Sequence, residues 1–162
     1  MNPLFTAGAM PQAAPATVSA AGADLQITRA GSRPVNAAPE QYFTGQVNVE
    51  MLQVPSGEER TSVGAVSFQP GARTFWHSHP LGQTLVVTDG VGRIQRWGGP
   101  VEEIRVGDVV HIPPHTKHWH GAASDSAMTH TAITEVLNGS AADWLEAVTD
   151  AHYLASPTKA GL

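Results

Sequence analysis

Apolar and polar residues alternate in short segments from Phe43 onward. These segments lie near residues 45–53, 62–69, 73–79, 83–89, 92–97, 108–112, 117–123 and 128–136. A period of two is typical of β-strands that bury one face. Turns rich in Gly and Pro separate the segments, such as "QPGA", "DGVG" and "RVGD". Because many short strands follow one another through close turns, the pattern predicts an all-β sandwich or barrel.

The first part of the chain departs from this pattern. Residues 1–24 are rich in Ala and Pro and show no periodicity, which predicts a flexible tail ahead of one domain over residues 25–162. A signal peptide is the alternative interpretation. It is disfavoured because this stretch has neither Lys nor Arg and no sustained apolar run.

The last part of the chain also departs from the strand pattern. In "GSAADWLEAVTDAHYL", Ser140 is a candidate N-cap with Asp143 three residues later. Trp144, Leu145 and Val148 would form a one-sided apolar stripe on a helix. The pattern therefore predicts a C-terminal helix over about residues 140–154, packed against the outside of the barrel.

Composition narrows the class of partner. The formal net charge of the 162 residues is -5 and no basic run is present, which argues against nucleic acid or an anionic membrane surface. No apolar run is long enough to span a bilayer. We therefore expect a small-molecule substrate and a cytoplasmic protein, or a periplasmic or secreted one if residues 1–24 are a targeting remnant. Cysteine is absent, so any metal must be held by nitrogen and oxygen.

Four of the eight histidines occur in two closely spaced pairs. His77 and His79 stand two positions apart in "FWHSHPLGQ", and His118 and His120 do so in "HTKHWH". Successive side chains of a strand point to opposite faces, so the members of each pair share a face. In a barrel, one such face is the interior. The spacing therefore places several imidazoles in one enclosed space.

Two more polar residues belong with these pairs. Gln83 begins the strand after the bend "PLG", and its amide oxygen could reach the same point as the imidazoles. His130 lies on the last strand. Three imidazoles and one amide oxygen form a neutral ligand set that suits a first-row divalent ion. The constellation therefore predicts a metal site.

The sequence resembles the cupin family at two motifs. Residues 71–90, "GARTFWHSHPLGQTLVVTDG", are similar to the first cupin motif, with Gln83 in place of its acid. Residues 107–118, "GDVVHIPPHTKH", are similar to the second motif, although His115 replaces its usual Gly and Ala122 its later Asn. The resemblance implies a cupin β-barrel, the double-stranded β-helix of jelly-roll type, with a metal inside. It does not fix the reaction, because one fold serves many chemistries.

A narrower resemblance runs from about Tyr42 to Tyr153. Segments such as "KHWHGAA", "AMTHTAI" and "DWLEAVTDAHY" look like the bacterial cupin hydroxynitrile lyases. This resemblance implies Mn²⁺ as cofactor, with Fe²⁺, Ni²⁺, Co²⁺ or Zn²⁺ as alternatives, and a homodimer or homotetramer. It implies a lyase that cleaves and forms cyanohydrins. The metal ligands it implies are His77, His79, Gln83 and His118, and it places His120 and His130 beside the metal.

The ligand set indicates how the site would work. An amide at position 83 leaves the ion its full double charge and makes it a stronger Lewis acid than a carboxylate ligand would. Because Gln83 cannot act as a base, proton transfer would fall to His120 and His130, which are expected to titrate near neutral pH. One would take the hydroxyl proton, and the other, protonated, would stabilise the leaving cyanide.

Four further residues are candidates for the substrate pocket. Phe75 precedes His77 by two positions, Val66 lies on a facing strand, Thr74 follows a Gly turn, and Thr134 shares a face with His130. Core packing explains Phe75 about as well, strand packing alone explains Val66, and a structural role is the favoured interpretation of Thr74. Trp76 and Trp119 are expected to point away from the metal and to serve packing.

Two other functions stay open. An iron or nickel cupin oxygenase would use open coordination positions for oxygen, but the missing glutamate removes its usual base. A cupin that binds metal and a small ligand without turnover would be stabilised by ligand and form no product.

Overall fold

Turns divide the chain into short β-strands and one short helix. The computed structural model describes residues 24–157. The elements are β1 (Val35–Ala37), β2 (Phe43–Thr44), β3 (Val47–Gln53), β4 (Thr61–Phe68), β5 (Arg73–Thr74), β6 (His77–Ser78), β7 (Gln83–Arg96), β8 (Val101–Arg105), β9 (Val109–Ile112), β10 (His118–Ala122), β11 (Met128–Glu135), β12 (Asp143–Trp144) and α1 (Asp150–Tyr153). The predicted all-β class is confirmed.

Two antiparallel sheets fold against each other and share one strand. The order in the first sheet is β1-β3-β4-β11-β7-β9, and in the second it is β2-β5-β10-β7-β8. Strand β6 pairs with β10 on one side and with β12 on the other. The shared strand closes one side of the barrel, so side chains from both sheets face a common interior.

Strand β7 passes from one sheet to the other near Gly90. Its first half pairs with β9 and β11, and its second half pairs with β8 and β10. Gly90 has φ +72°, and a Cβ there would lie 1.9 Å from the carbonyl oxygen of Ala127, so the position requires glycine. The predicted strands 83–89 and 92–97 are therefore two halves of one strand.

Strand β8 was not predicted from the sequence. Its two apolar residues, Val101 and Ile104, are three positions apart and face opposite sides of the sheet. Ile104 packs into the barrel interior, and Val101 packs into a second cluster outside it. Because both faces of this strand are buried at different points, the period-two signal is lost.

The core is split between the inside and the outside of the second sheet. The interior cluster is formed by Val47, Phe68, Ala72, Val87, Ile104, Ala122 and Met128. The outer cluster is formed by Trp76, Val101, Trp119, Val148 and Tyr153. Trp76 precedes His77, and Trp119 lies between His118 and His120, so strand alternation sends these tryptophans outward as expected.

The C-terminal helix is much shorter than predicted. Helix α1 has four residues and begins after Thr149, whose side chain accepts a hydrogen bond from the backbone N–H of His152. The preceding segment is extended, and Trp144 pairs with His77 as part of β12. A strand partner and the outer tryptophan cluster thus override the helical pattern over 140–149. The predicted packing outside the barrel holds, since Tyr153 donates to the carbonyl of Ala122 at 2.8 Å.

Of the predicted tail, only Asp24 lies within the described residues, so the prediction of flexibility falls outside them. Across residues 24–157, no helix has the length and hydropathy needed to cross a membrane.

Candidate metal centre and pocket

Three histidines meet at the junction of β6, β7 and β10. His118 lies directly opposite His77 in the antiparallel pairing of β10 with β6, and His79 follows β6. One ring nitrogen from each of His77, His79 and His118 lies within 4.8 Å of the others, and all three residues are buried. Their separation suits a shared ion.

Backbone carbonyls orient each of the three rings. The Nδ1 atom of each imidazole lies 2.8–2.9 Å from a carbonyl oxygen, and these oxygens belong to Phe75, Ala141 and Thr116. A carbonyl only accepts, so each Nδ1 carries the proton and each Nε2 keeps a free lone pair. The buried Nε2 atoms of His79 and His118 have no hydrogen-bond partner among residues 24–157. This is the arrangement by which proteins prepare imidazoles for a metal.

Gln83 offers a fourth neutral donor atom. It is buried at the start of β7, and its Nε2 donates to Thr134 Oγ1 at 2.9 Å. Its Oε1 is buried and has no partner within the described part of the chain. A buried amide oxygen and buried imidazole nitrogens that all present lone pairs form a donor set that a cation can satisfy. These four residues therefore fit a first-row divalent metal ion.

The imidazoles of this cluster are held in the neutral form. Burial, followed by the neighbouring His118 and His79, lowers the pKa of His77 well below its usual value. Burial lowers the pKa of His118 to about 4, and it also lowers the pKa of His79. Neutral imidazoles are the form that binds metals, so the cluster is ready to bind at neutral pH.

A second pair of histidines lies beside the first cluster. His120 Nδ1 and His130 Nε2 are 3.2 Å apart, and Phe68 packs against both rings. The backbone N–H of His120 donates to Thr74 Oγ1 at 3.1 Å. His130 Nδ1 is buried without a hydrogen-bond partner in the described chain.

The pKa values of this pair differ from the expectation. Burial, and then the proximity of His130, lowers the pKa of His120 well below its usual value. Burial lowers the pKa of His130 to about 4. The sequence-based expectation of titration near neutral pH is therefore wrong, because among the described residues no carboxylate accompanies the two buried rings to offset their desolvation.

These residues enclose a small cavity of about 180 Å³. Its lining consists of Phe43, Val49, Val66, Thr74, His77, His79, Gln83, His120, His130, Ala132 and Trp144. Aliphatic and aromatic side chains thus complete the walls around the polar groups. A small, mostly apolar cavity with a few convergent polar atoms is typical of a binding site for a small molecule.

The four predicted pocket residues fall in different places. Val66 and Thr74 line the cavity. Phe75 does not, because the chain bends between β5 and β6, so the period of two is broken; its side chain lines a separate groove, beside Ala37 and Phe43. Thr134 is not in the cavity wall and instead contacts the Gln83 amide.

Trp144 and Phe43 are wall residues that the sequence did not indicate. The Trp144 ring lies 4.6 Å from the His77 ring and stacks on Tyr42 at 4.7 Å, between ring centroids. Phe43 contacts Trp144 at 5.5 Å. The sequence pattern places Trp144 on the apolar stripe of a helix, and no local signal around either residue marks a pocket. Only the pairing of β12 with β6 brings Trp144 here.

A larger groove of about 500 Å³ lies between β8 and β9. It touches His118 but none of the other candidate ligands, and its lining mixes Ile94, Ile104 and Ile112 with Glu102 and Asp108. Both this groove and the groove of about 620 Å³ beside Phe75 exceed the small cavity in volume. The smaller cavity is the better candidate because the unpaired polar atoms converge there.

The fold and the site define a cupin whose three clustered histidines could hold a metal ion. Residues 64–134 match the family model of the cupin domain, and the chain belongs to the cupin family. Within this family it is similar to the (R)-mandelonitrile lyase of Granulicella tundricola. The two chains are 52% identical over 129 residues, which cover 80% of this chain and 98% of that protein. The chain is thus a small cupin close to the bacterial hydroxynitrile lyases.

Solved structures support the same family. A cupin-like protein from Thermotoga maritima is 44% identical, with a TM-score of 0.69, and the match covers 79% of this chain and 94% of that one. A polyketide cyclase from Streptomyces resistomycificus is 14% identical, with a TM-score of 0.65 over 80% of this chain and 91% of that one. The second likeness shows the fold alone.

Proposed function

We propose that this protein is a metal-dependent lyase that cleaves a cyanohydrin into an aldehyde and hydrogen cyanide, and forms it in reverse. The observation that carries the proposal is a neutral, self-paired His120–His130 unit that lines the same cavity as three of the ligand residues. The similarity to a relative named (R)-mandelonitrile lyase supports the substrate class.

The proposed metal ligands are His77, His79, Gln83 and His118, and the proposed metal is Mn²⁺, with Fe²⁺, Ni²⁺, Co²⁺ and Zn²⁺ as alternatives. When bound, the ion supplies Lewis acidity for an oxygen of the substrate. All four proposed ligands are neutral, so they add no negative charge that would offset the positive charge of the ion. Gln83 has no basic atom, so the proton must be handled elsewhere.

The His120–His130 pair can accept and donate a proton at the same time. One hydrogen is shared between His120 Nδ1 and His130 Nε2, so the outer nitrogens are one lone pair and one N–H, whichever ring donates. When the lone-pair end gains a proton, the shared hydrogen moves to the other ring and the N–H end releases its proton, so both rings stay neutral and the two ends exchange roles. The pair thus provides a base and an acid without a net charge, which suits two rings whose pKa values are lowered by burial.

Cleavage uses both ends of this pair. The lone pair takes the hydroxyl proton, and the electrons of the O–H bond form the carbonyl as the carbon–carbon bond breaks. Cyanide leaves with the bonding electrons and takes the proton of the N–H end, so the products are an aldehyde and hydrogen cyanide. A separately protonated histidine, which the sequence suggested, is not needed.

The apolar walls set the size of the substrate. The cavity of about 180 Å³ is bounded by Val49, Val66 and Ala132 on one sheet and by Phe43 and Trp144 at its edge. Such walls exclude water and suit the aromatic ring of an aryl cyanohydrin. Mandelonitrile and its product benzaldehyde are therefore the natural test pair.

Metal analysis followed by a cleavage assay tests the proposal. Protein purified from cells grown with added manganese should contain close to one divalent ion per chain and release benzaldehyde and cyanide from mandelonitrile. Chelation should abolish the release, and Mn²⁺ should restore it. Oxygen uptake by the iron-loaded protein without cyanide release would favour an oxygenase, and thermal stabilisation by the ligand without product would favour a binding protein.

A further inference from the structure

Thr134 lies directly across from the candidate ligand Gln83. The two residues are paired in the antiparallel register of β11 and β7, and both side chains face the barrel interior. Thr134 is only 6% exposed. It was expected to line the substrate pocket, but it lies outside that wall and contacts Gln83 instead.

The contact bears on a property that a glutamine ligand has and a carboxylate lacks. The two ends of an amide are chemically opposite: Oε1 can bind a cation, and Nε2 repels it. In the structure Nε2 donates to Thr134 Oγ1 at 2.9 Å, and Oε1 is left without a partner among residues 24–157. Without an acceptor at position 134, the same orientation would bury an unpaired N–H group.

We propose that Thr134 is a positioning residue that holds the Gln83 amide with its oxygen toward the three imidazoles. With this contact, all four candidate ligands share one arrangement, in which one end of the side chain donates a hydrogen bond and the other end stays free. His77, His79 and His118 each donate Nδ1–H to a backbone carbonyl and keep Nε2 free, and Gln83 donates Nε2–H to Thr134 and keeps Oε1 free. The inference rests on the metal site of the proposed function, but not on cyanohydrin cleavage.

The position of Thr134 is itself fixed. Its backbone carbonyl accepts a hydrogen bond from Ser62 Oγ at 2.9 Å, and β11 is paired on both sides, by β4 and β7. A β-branched side chain in a strand has few rotamers. The backbone pairing and the restricted rotamer therefore place the hydroxyl oxygen at a defined position next to Gln83.

The test is metal affinity, measured by titration of the metal-free protein with Mn²⁺ and with Zn²⁺ in the absence of substrate. Thr134→Val keeps the shape and removes the acceptor, and we expect it to raise the Kd by about 10- to 100-fold. Thr134→Ser should stay within about threefold of the wild type, since it retains the hydroxyl. Thr131→Val, the same change on the outer face of β11, is the matched control and should leave the Kd unchanged.

A double-mutant cycle separates positioning from a general structural effect. With Gln83→Ala as background there is no amide to orient, so Thr134→Val should change the Kd by less than about twofold. The same loss in both backgrounds, or no loss in the wild-type background, would overturn the proposal. If Thr134→Val does not fold, Thr134→Ala is put through the same cycle with the same expectations. Absence of metal binding by the wild type would instead refute the metal site itself.

Discussion

His118 and His120 stand two positions apart on one strand and face the same interior, yet their Nδ1 atoms have different partners. His118 Nδ1 is held by the carbonyl of Thr116, which frees Nε2 next to the other candidate ligands. His120 Nδ1 is instead paired with His130. The partner of Nδ1, a carbonyl in one case and a second imidazole in the other, distinguishes the proposed ligand from the proposed proton carrier.

This difference predicts opposite behaviour for two neighbouring substitutions. His118→Ala should lose most of the metal and the activity with it. His120→Ala and His130→Ala should keep metal near the wild-type level and lower turnover of mandelonitrile by about 100-fold or more, because each removes one half of the proton-carrying pair. Metal content and cleavage rate are measured on the same preparations.

The contradicting results are equally specific. Loss of metal in His120→Ala would make that residue a ligand. Full metal and full activity in both His120→Ala and His130→Ala would remove the base from the proposed reaction. The exposed His111 serves as the control, since it lies outside the cavity and His111→Ala should change neither quantity.

Burial of His130 also predicts how stability depends on pH. Its pKa is lowered to about 4 in the folded protein, against 6.5 for an unperturbed histidine. Below pH 6.5 the unfolded chain takes up a proton that the folded protein does not, so the free energy of unfolding falls as the pH drops toward 4. Above pH 6.5 this contribution vanishes.

Urea unfolding of the metal-free protein at pH 7.5 and 5.5 measures this effect. On going from pH 7.5 to 5.5, the free energy of unfolding should fall by about 1.4 kcal/mol more in the wild type than in His130→Phe. The phenylalanine cannot titrate and can pack beside Phe68. Equal losses in the two proteins would show that His130 does not carry the pH dependence.

At the scale of elements, the short strand β12 connects the C-terminal segment to the site. It places Trp144 over the His77 ring, and the carbonyl of nearby Ala141 orients His79. The same segment is fixed at its other end, where Arg73 bonds to Asp150 at 2.7 Å and lies over the Tyr153 ring. The segment that the sequence pattern assigns to an outer helix thus supplies one wall residue of the cavity and the carbonyl group that orients His79.

Removal of this wall should change substrate size preference, given the proposed lyase activity. Trp144→Ala enlarges the cavity of about 180 Å³ and should raise the cleavage rate of a naphthyl cyanohydrin, relative to mandelonitrile, by about tenfold or more. Trp97→Ala is the matched control, because Trp97 is 48% exposed and packs on Trp76 outside the barrel. An unchanged ratio of the two rates in Trp144→Ala would show that the tryptophan does not limit substrate size.

At the scale of the whole molecule, the outer face of the first sheet carries a group of uncharged residues that extends across four strands. Outward-facing residues of β4, β11, β7 and β9 form this outer-sheet patch: Val63, Ala65, Thr131, Ile133, Thr84, Val86 and Val109. Val109 and Ile133 are exposed. A flat, β-branched surface of this kind favours association of one sheet with another. We therefore propose that the protein forms a homodimer or homotetramer through this patch.

The mass in solution tests the assembly. The wild type should elute well above the 17.0 kDa of one chain in size-exclusion chromatography with light scattering, and Ile133→Lys should lower that mass because it places a charge in the patch. Leu154→Lys, at an exposed apolar residue beyond α1, should leave the mass unchanged. A wild type that is monomeric, or a variant of unchanged mass, would contradict this interface.

The sequence by itself determined the local features of the site. A period of two places His77 with His79 and His118 with His120 on shared faces, and glycine at position 90 permits the bend of the longest strand. Spacing along one strand depends only on backbone geometry. The fold class and the two histidine pairs could therefore be predicted without coordinates, and the resemblance to cupins implied which of these residues are candidate ligands.

Tertiary structure decided what those side chains touch. The pairing of His120 with His130, the donation from Gln83 to Thr134, and the position of Trp144 all join residues from different strands. Such contacts depend on strand register and on a bend in the chain, which no local pattern encodes. Burial, likewise set by the whole fold, lowers the histidine pKa values. The sequence therefore indicated the histidines, and only the packed barrel determined their protonation and their contacts.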